Sequence, residues 1–130
     1  MDDKLLSGQR VLVVEDEMLV LMAIEDMLTD LGCTAIKVAG NIESALALIA
    51  VEQFDLATLD VNLNGRRSYP VARALSERGV PFAFSTGYGS SDGAEGYGDR
   101  PVLNKPFDSL QLAKVLTALL AERDPPVLAT

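Results

Sequence analysis

Four chemically useful stations punctuate this sequence, and each follows a short apolar run. Glu15 and Asp16, with Glu17 beside them, end the run Val11, Leu12, Val13, Val14. Asp60 ends Leu56 to Leu59, Thr86 follows Val80 to Ser85, and Lys105 follows Val102, Leu103 and Asn104. In an open α/β sheet the carboxyl ends of the strands form the functional edge. A carboxylate there can act as ligand, nucleophile or base. Glu15, Asp16 and Asp60 gathered in one crevice repel and raise one another's pKa values. A hard divalent cation resolves that conflict, and magnesium prefers oxygen ligands, few protein carboxylates and some retained water. A hydroxyl at Thr86 can donate to an anion at the same edge, and Lys105 can bring it a point positive charge. Ordinary readings stand beside these. Glu15 to Glu17 also fits an acidic first helical turn, Asp60 a turn residue, Thr86 a cap and Lys105 a solvated cation.

Periodicity predicts the elements that must position these groups. Arg10 to Val14 reads as a central strand, continuous and β-branched. Met18 to Leu31 has helical spacing, with Val20, Ile24, Met27, Leu28 and Leu31 on one face, and Gly32 stops it. Thr34 to Ala39 is the second strand, and Asn41 caps a helix with Ile42, Ala45, Leu46 and Ile49 buried. Leu56 to Leu59 is the third strand, followed by a polar, turn-rich stretch from Asn62 to Arg67. Pro70 suits the first turn of a helix running to about Arg78. Val80 to Ser85 is the fourth strand, with Pro81 tolerable only near its start. Between Thr86 and Asp99 stand Gly87, Gly89, Gly93, Gly96 and Gly98, so a helix there is expected to be short or poorly held. Val102 to Asn104 is the fifth strand. Asp108 and Gln111 have capping-box spacing before a last helix that buries Leu112, Val115, Leu116 and Leu119. One domain is expected over residues 9–122, with 1–8 a loosely packed lead-in and 123–130 a tail. Strands apolar on both faces, alternating with helices, argue for a doubly wound α/β fold with a five-stranded parallel sheet. The Lys105–Pro106 bond is open to the cis form, since prolyl bonds alone carry a low cis penalty.

Composition narrows the function classes. The 130 residues carry a formal net charge of -8, which argues against non-specific binding to nucleic acid or anionic membrane. It permits a divalent cation or a basic partner. Cys33 is the single cysteine, so no disulfide forms within the chain, and a reducing, cytoplasmic compartment is the simple expectation. With no histidine, the site cannot use imidazole as base or ligand. The first residues hold no apolar signal-peptide core, and no apolar run approaches a membrane span.

The stretch Val11-Leu-Val-Val-Glu-Asp-Glu17, Asp60 with Gly65 behind it, Thr86-Gly87 and Lys105-Pro106-Phe107 together resemble a response-regulator receiver domain. The resemblance spans about Gln9 to Leu120. The run Phe84-Ser85-Thr86-Gly87-Tyr88 further resembles a subgroup of single-domain receivers best known from alphaproteobacteria. It implies a flavodoxin-like receiver fold with strand order 2-1-3-4-5. It implies that Asp60 is the phosphoacceptor and that Glu15 and Asp16 help hold magnesium, with Asp16 the direct ligand. The backbone carbonyl of Asn62 is then the remaining protein ligand, Thr86 the switch hydroxyl and Lys105 the lysine that contacts the phosphoryl group. The implied donor is a phosphohistidine on a sensor histidine kinase or a histidine phosphotransfer protein. The output is binding to a downstream protein, or phosphoryl relay. Such a domain catalyses its own phosphorylation and slow dephosphorylation without being a conventional turnover enzyme.

The sequence departs from the family pattern at two places. Asn64 stands where proline is common, which predicts a less rigid loop after Asp60. Val102 stands where an aromatic residue usually swings with the switch hydroxyl, leaving Tyr88 as the nearest aromatic for that part. Three rivals remain at this level: a receiver-like binding module that never needs phosphate, an aspartyl phosphohydrolase and a flavin-binding module. The phosphohydrolase wants a second acid where Asn62 stands. The flavin module would set its ligand's phosphate against Glu15 to Glu17.

Overall fold

The computed structural model describes residues 4–87 and 100–123. In chain order the elements are β1 (Arg10–Val14), α1 (Met18–Asp30), β2 (Ala35–Ala39), α2 (Ile42–Val51), β3 (Leu56–Asp60), β4 (Asn62–Leu63), β5 (Arg66–Arg67), α3 (Tyr69–Glu77), β6 (Phe82–Thr86), β7 (Val102–Asn104) and α4 (Ser109–Arg123). The helix expected between Thr86 and Asp99, and Tyr88 with it, falls outside the described residues.

One sheet runs in the order β2-β1-β3-β6-β7, with every pairing parallel. Counting only these five strands, the order is 2-1-3-4-5, as the family resemblance implies. Side chains alternate across a strand, and both faces of the central strands are buried. Leu12, Val14, Leu59 and Phe84 pack with α2 and α3, while Val11, Val13, Leu56 and Leu103 pack with α1 and α4. The strand order brings the carboxyl ends of β1, β3, β6 and β7 to one edge.

At the opposite edge Asp55 is buried and ties the starts of β3 and β1 together. It accepts from the Arg10 backbone N–H at 2.8 Å and from Arg10 Nε at 3.1 Å. Three local expectations are met in detail. The Asn41 side chain accepts from the Ser44 N–H at 2.7 Å and caps α2. Asp108 and Gln111 form a reciprocal capping box, at 2.9 and 2.8 Å, ahead of α4. The Lys105–Pro106 bond is cis.

Three others are corrected. The lead-in is not loose over its described part, because Leu6 is fully buried and its N–H donates to the Leu31 carbonyl at 2.9 Å. The fourth sheet strand begins at Phe82 rather than Val80. Pro81 has no N–H to donate and contributes only its carbonyl, which accepts from Ala57 N at 3.1 Å. The polar stretch after Asp60 is a hairpin, β4 pairing antiparallel with β5. Its two-residue turn is Asn64-Gly65, with φ of 54° and 84°. Both central residues of such a turn need positive φ, which asparagine tolerates and glycine adopts freely. The loop expected to be less rigid for want of proline is therefore a hydrogen-bonded turn.

Candidate functional site

Each strand-end group is delivered by a different element. β1 ends at Val14, so Glu15 and Asp16 emerge in the turn before α1. Glu17 is the N-cap residue, without a side-chain capping bond, and no acidic residue lies in the first turn of α1. The reading of Glu15 to Glu17 as an acidic first turn therefore fails. Asp60 is the last residue of β3, and its carbonyl is held from behind by the buried Ser68 Oγ, which donates at 2.6 Å. Thr86 is the last residue of β6, and its carbonyl accepts from the Lys105 N–H at 2.8 Å.

These groups converge. Lys105 Nζ donates to Glu15 Oε1 at 2.9 Å, to Glu15 Oε2 at 3.2 Å and to Asp60 Oδ2 at 2.9 Å. The other Asp60 oxygen, Oδ1, accepts from the Asn62 N–H at 3.1 Å. Asp16 Oδ2 accepts from the Asn64 N–H at 2.8 Å. The side chains differ in exposure: Glu15 and Asp60 are buried, Asp16 and Lys105 half-buried, and Asn62 exposed. Asp16, Asp60, Asn62, Thr86 and Lys105 line one cavity of about 670 Å³. Its other wall is apolar, from Leu19, Ala23 and Met27 of α1 to Phe107. Val102 does not line it and sits partly exposed on the outer strand β7.

Electrostatics follow from the crowding. Burial pushes the Glu15 carboxyl up from 4.5 to about 7, and the Asp60 charge adds to the rise against the pull of Lys105. Burial alone would lower the Lys105 ammonium, but its hydrogen bonds to Glu15 and Asp60 outweigh that and hold its pKa above the ordinary value. Glu15, Asp16 and Asp60 each offer a carboxylate oxygen, and these atoms lie within 4.8 Å of one another. All are hard oxygen donors, buried or half-buried and already crowded, which fits a magnesium ion. The acidic cluster is thus positioned to coordinate a divalent metal.

Two participants escape a reading of the sequence by periodicity. Ser68 fixes the Asp60 carbonyl and gives no pattern signal. Asn64 reaches Asp16 from the hairpin, and the dipeptide Asn64-Gly65 was the available sign.

Comparisons with known proteins agree with this geometry. The family model described as the response regulator receiver domain matches residues 11–117. SdrG from Sphingomonas melonis Fr1, solved in solution, is 46% identical over 86% of this chain and 96% of that one, with a TM-score of 0.77. The BeF3-activated conformation of SdrG from Pseudomonas melonis Fr1 is 45% identical over 88% of this chain and 98% of that one, with a TM-score of 0.75. A response regulator receiver protein from Sinorhizobium medicae WSM419 is 25% identical over 92% and 99%, with a TM-score of 0.79. A search of the curated proteins finds no match. Among the described residues no helix is long and apolar enough to cross a membrane. With its acids, lysine and threonine gathered at the strand ends and the family model spanning most of its length, the chain belongs to the response-regulator receiver domains.

Proposed function

We propose that Asp60 is the single phosphoacceptor of this chain, and that it takes its phosphoryl group from a phosphohistidine on a sensor histidine kinase or a histidine phosphotransfer protein. The observation that carries this reading is the placement of Asp60 Oδ2 2.9 Å from Lys105 Nζ, at the edge of a cavity shared with Asp16 and Thr86. The BeF3-activated conformation of SdrG supports it. An Asp60 oxygen attacks phosphorus in line, the phosphorus–nitrogen bond of the donor breaks, and the imidazole nitrogen leaves with the electron pair. Asp16, Asp60 and the Asn62 carbonyl, with Glu15 behind them, would hold a magnesium ion, which would supply positive charge beside the nucleophile. Lys105 and Thr86 stabilise the phosphoryl oxygens as charge shifts onto them. Water later attacks the same phosphorus, which frees inorganic phosphate and restores the carboxylate. The chain thus acts on itself and does not turn over a separate substrate.

The phosphohistidine cannot lie within these 130 residues, which contain no histidine. Met18, Leu19 and Met22 are exposed on the part of α1 nearest the site, a surface suited to an apolar helical partner. Phosphorylation adds roughly -1.5 to -2 charges and draws Thr86 and Lys105 inward. The output is protein binding or onward relay, and the net charge of -8 weighs against nucleic acid and membrane as partners. The unpaired Cys33 supports a cytoplasmic setting.

Incubation with acetyl phosphate and magnesium should add one phosphoryl group by intact mass, and D60N should add none. Equal labelling of D60N would sink the assignment. An unlabelled wild type, under a competent kinase as well, would favour a binding module that works without phosphate.

A further inference from the structure

The hairpin β4–β5 is fixed on every side. Leu63 is buried beneath it, and the Gly65 N–H donates to Asn62 Oδ1 at 2.9 Å within it. On its outer side Arg66 Nη1 pairs with Glu43 Oε2 at 2.9 Å. At its tip the two polar groups of Asn64 face different partners. The backbone N–H donates to Asp16 Oδ2 at 2.8 Å, and Nδ2 donates to the Gly40 carbonyl at 3.3 Å. Gly40 follows β2 and Asp16 follows β1, so one residue spans from one strand-end loop to another.

We propose that the hairpin is a positioning device for the divalent-cation site, and that Asn64 is its positioning residue. The backbone N–H of Asn64 holds the Asp16 carboxylate, and its side chain holds the hairpin tip. This rests on the reading of Glu15, Asp16 and Asp60 as the cation's carboxylates. Asp16 is half-buried, so its side chain would otherwise rotate among several directions. A carboxylate held through one oxygen keeps one direction. A ligand that needs no reordering binds its metal more tightly, which is the usual effect of an outer hydrogen-bond partner. The turn chemistry makes the arrangement specific. Asn64 sits at a φ of 54°, a conformation that proline cannot adopt, and proline has no N–H to offer Asp16.

Magnesium dissociation constants, read from amide chemical shifts in titrations of the full chain, test this without reference to phosphorylation. N64P removes the donor and should weaken magnesium binding by about tenfold or more. N64G keeps the N–H and the positive φ but loses the tie to Gly40, and should weaken it by about threefold. R66A cuts only the exposed outer ion pair and should bind as the wild type does. Wild-type affinity in a folded N64P overturns the proposal. If N64P does not fold, wild-type affinity in N64G overturns it instead. A loss in R66A as large as that in N64G also overturns it, because general loosening of the hairpin would then account for both. D16N separates the two levels. If D16N binds magnesium unchanged, the cation site itself is misassigned and the positioning role falls with it. If D16N is weakened while the Asn64 variants are not, only the positioning role falls.

Discussion

Replacing Lys105 with methionine should destabilise the protein by an amount that depends on pH, and Glu15 sets the dependence. Lys105 lies 2.9 Å from an oxygen of each of two carboxylates, and the Glu15 side chain is fully buried. Removing one partner of a buried ion pair costs about 3–5 kcal/mol when the remaining charge has no other partner. Glu15 has a way out, because it can take up a proton. Its pKa is already raised from 4.5 to about 7 in the folded state. Between those values the folded protein binds more protons than the unfolded one, so this group's contribution to stability falls as pH rises, by about 3 kcal/mol in all. In K105M the attraction that lowers Glu15 is gone, so its pKa moves higher and the fall extends to higher pH. The ammonium's own raised pKa keeps it charged across this whole range, so the wild type changes little there on its account. Urea unfolding with chelator present should therefore show a K105M penalty that is larger near about pH 8.5 than near about pH 5.5, by up to about 2 kcal/mol. The double variant E15Q/K105M should recover much of the loss at the higher pH. Equal penalties at both pH values, or no recovery in the double variant, would refute the account.

Three more outcomes are expected. Thr58 Oγ1 is buried without a hydrogen-bond partner among the described residues, so T58V should be neutral or stabilising by about 1 kcal/mol in urea unfolding; a loss above that would reveal a partner for the hydroxyl. D55A strands the Arg10 N–H at the start of β1 and should cost about 1–3 kcal/mol. R10M should cost much less than that, because the Arg10 side chain is nearly half exposed, and a similar cost for the two would contradict the assignment of the loss to the backbone donor. Saturating magnesium at about one hundred times its dissociation constant should stabilise the wild type by about 2.7 kcal/mol. The same addition should scarcely raise the melting temperature of D16N, and an identical rise in both would disprove the ligand set.

Much of this architecture was legible because strand ends are abrupt. Val14 to Glu15, Leu59 to Asp60 and Leu103 to Lys105 each pass from apolar to chemically active within a residue or two, and the caps Asn41 and Asp108 mark helix starts by their own hydrogen bonds. What stayed hidden had too little chain to show a period. β4 and β5 are two residues each, so alternation has no room to appear, and only the Asn64-Gly65 pair signals them. Leu6 gives no pattern either, since one buried side chain in a polar lead-in has nothing to repeat with. The division of labour between Glu15 and Asp16 was also out of reach. The residues are adjacent and chemically alike, yet Glu15 is buried against Lys105 while Asp16 turns toward the hairpin.

The long reach of Lys105 has a bearing on how the chain folds. It meets Asp60 across 45 positions and Glu15 across 90. Contacts so distant in sequence close large loops and form only after the intervening chain has given up much of its freedom. During synthesis the amino-terminal part can begin to organise first, and β1 and β3 pair side by side without waiting for β7. A nascent chain in which β1 and β3 have paired would gather Glu15, Asp16 and Asp60 before Lys105 is in place to offset their charges. Their repulsion opposes closure of that edge until the three-residue β7 docks and brings Lys105 with it. The site is complete, on this account, only in a chain whose last strand has arrived.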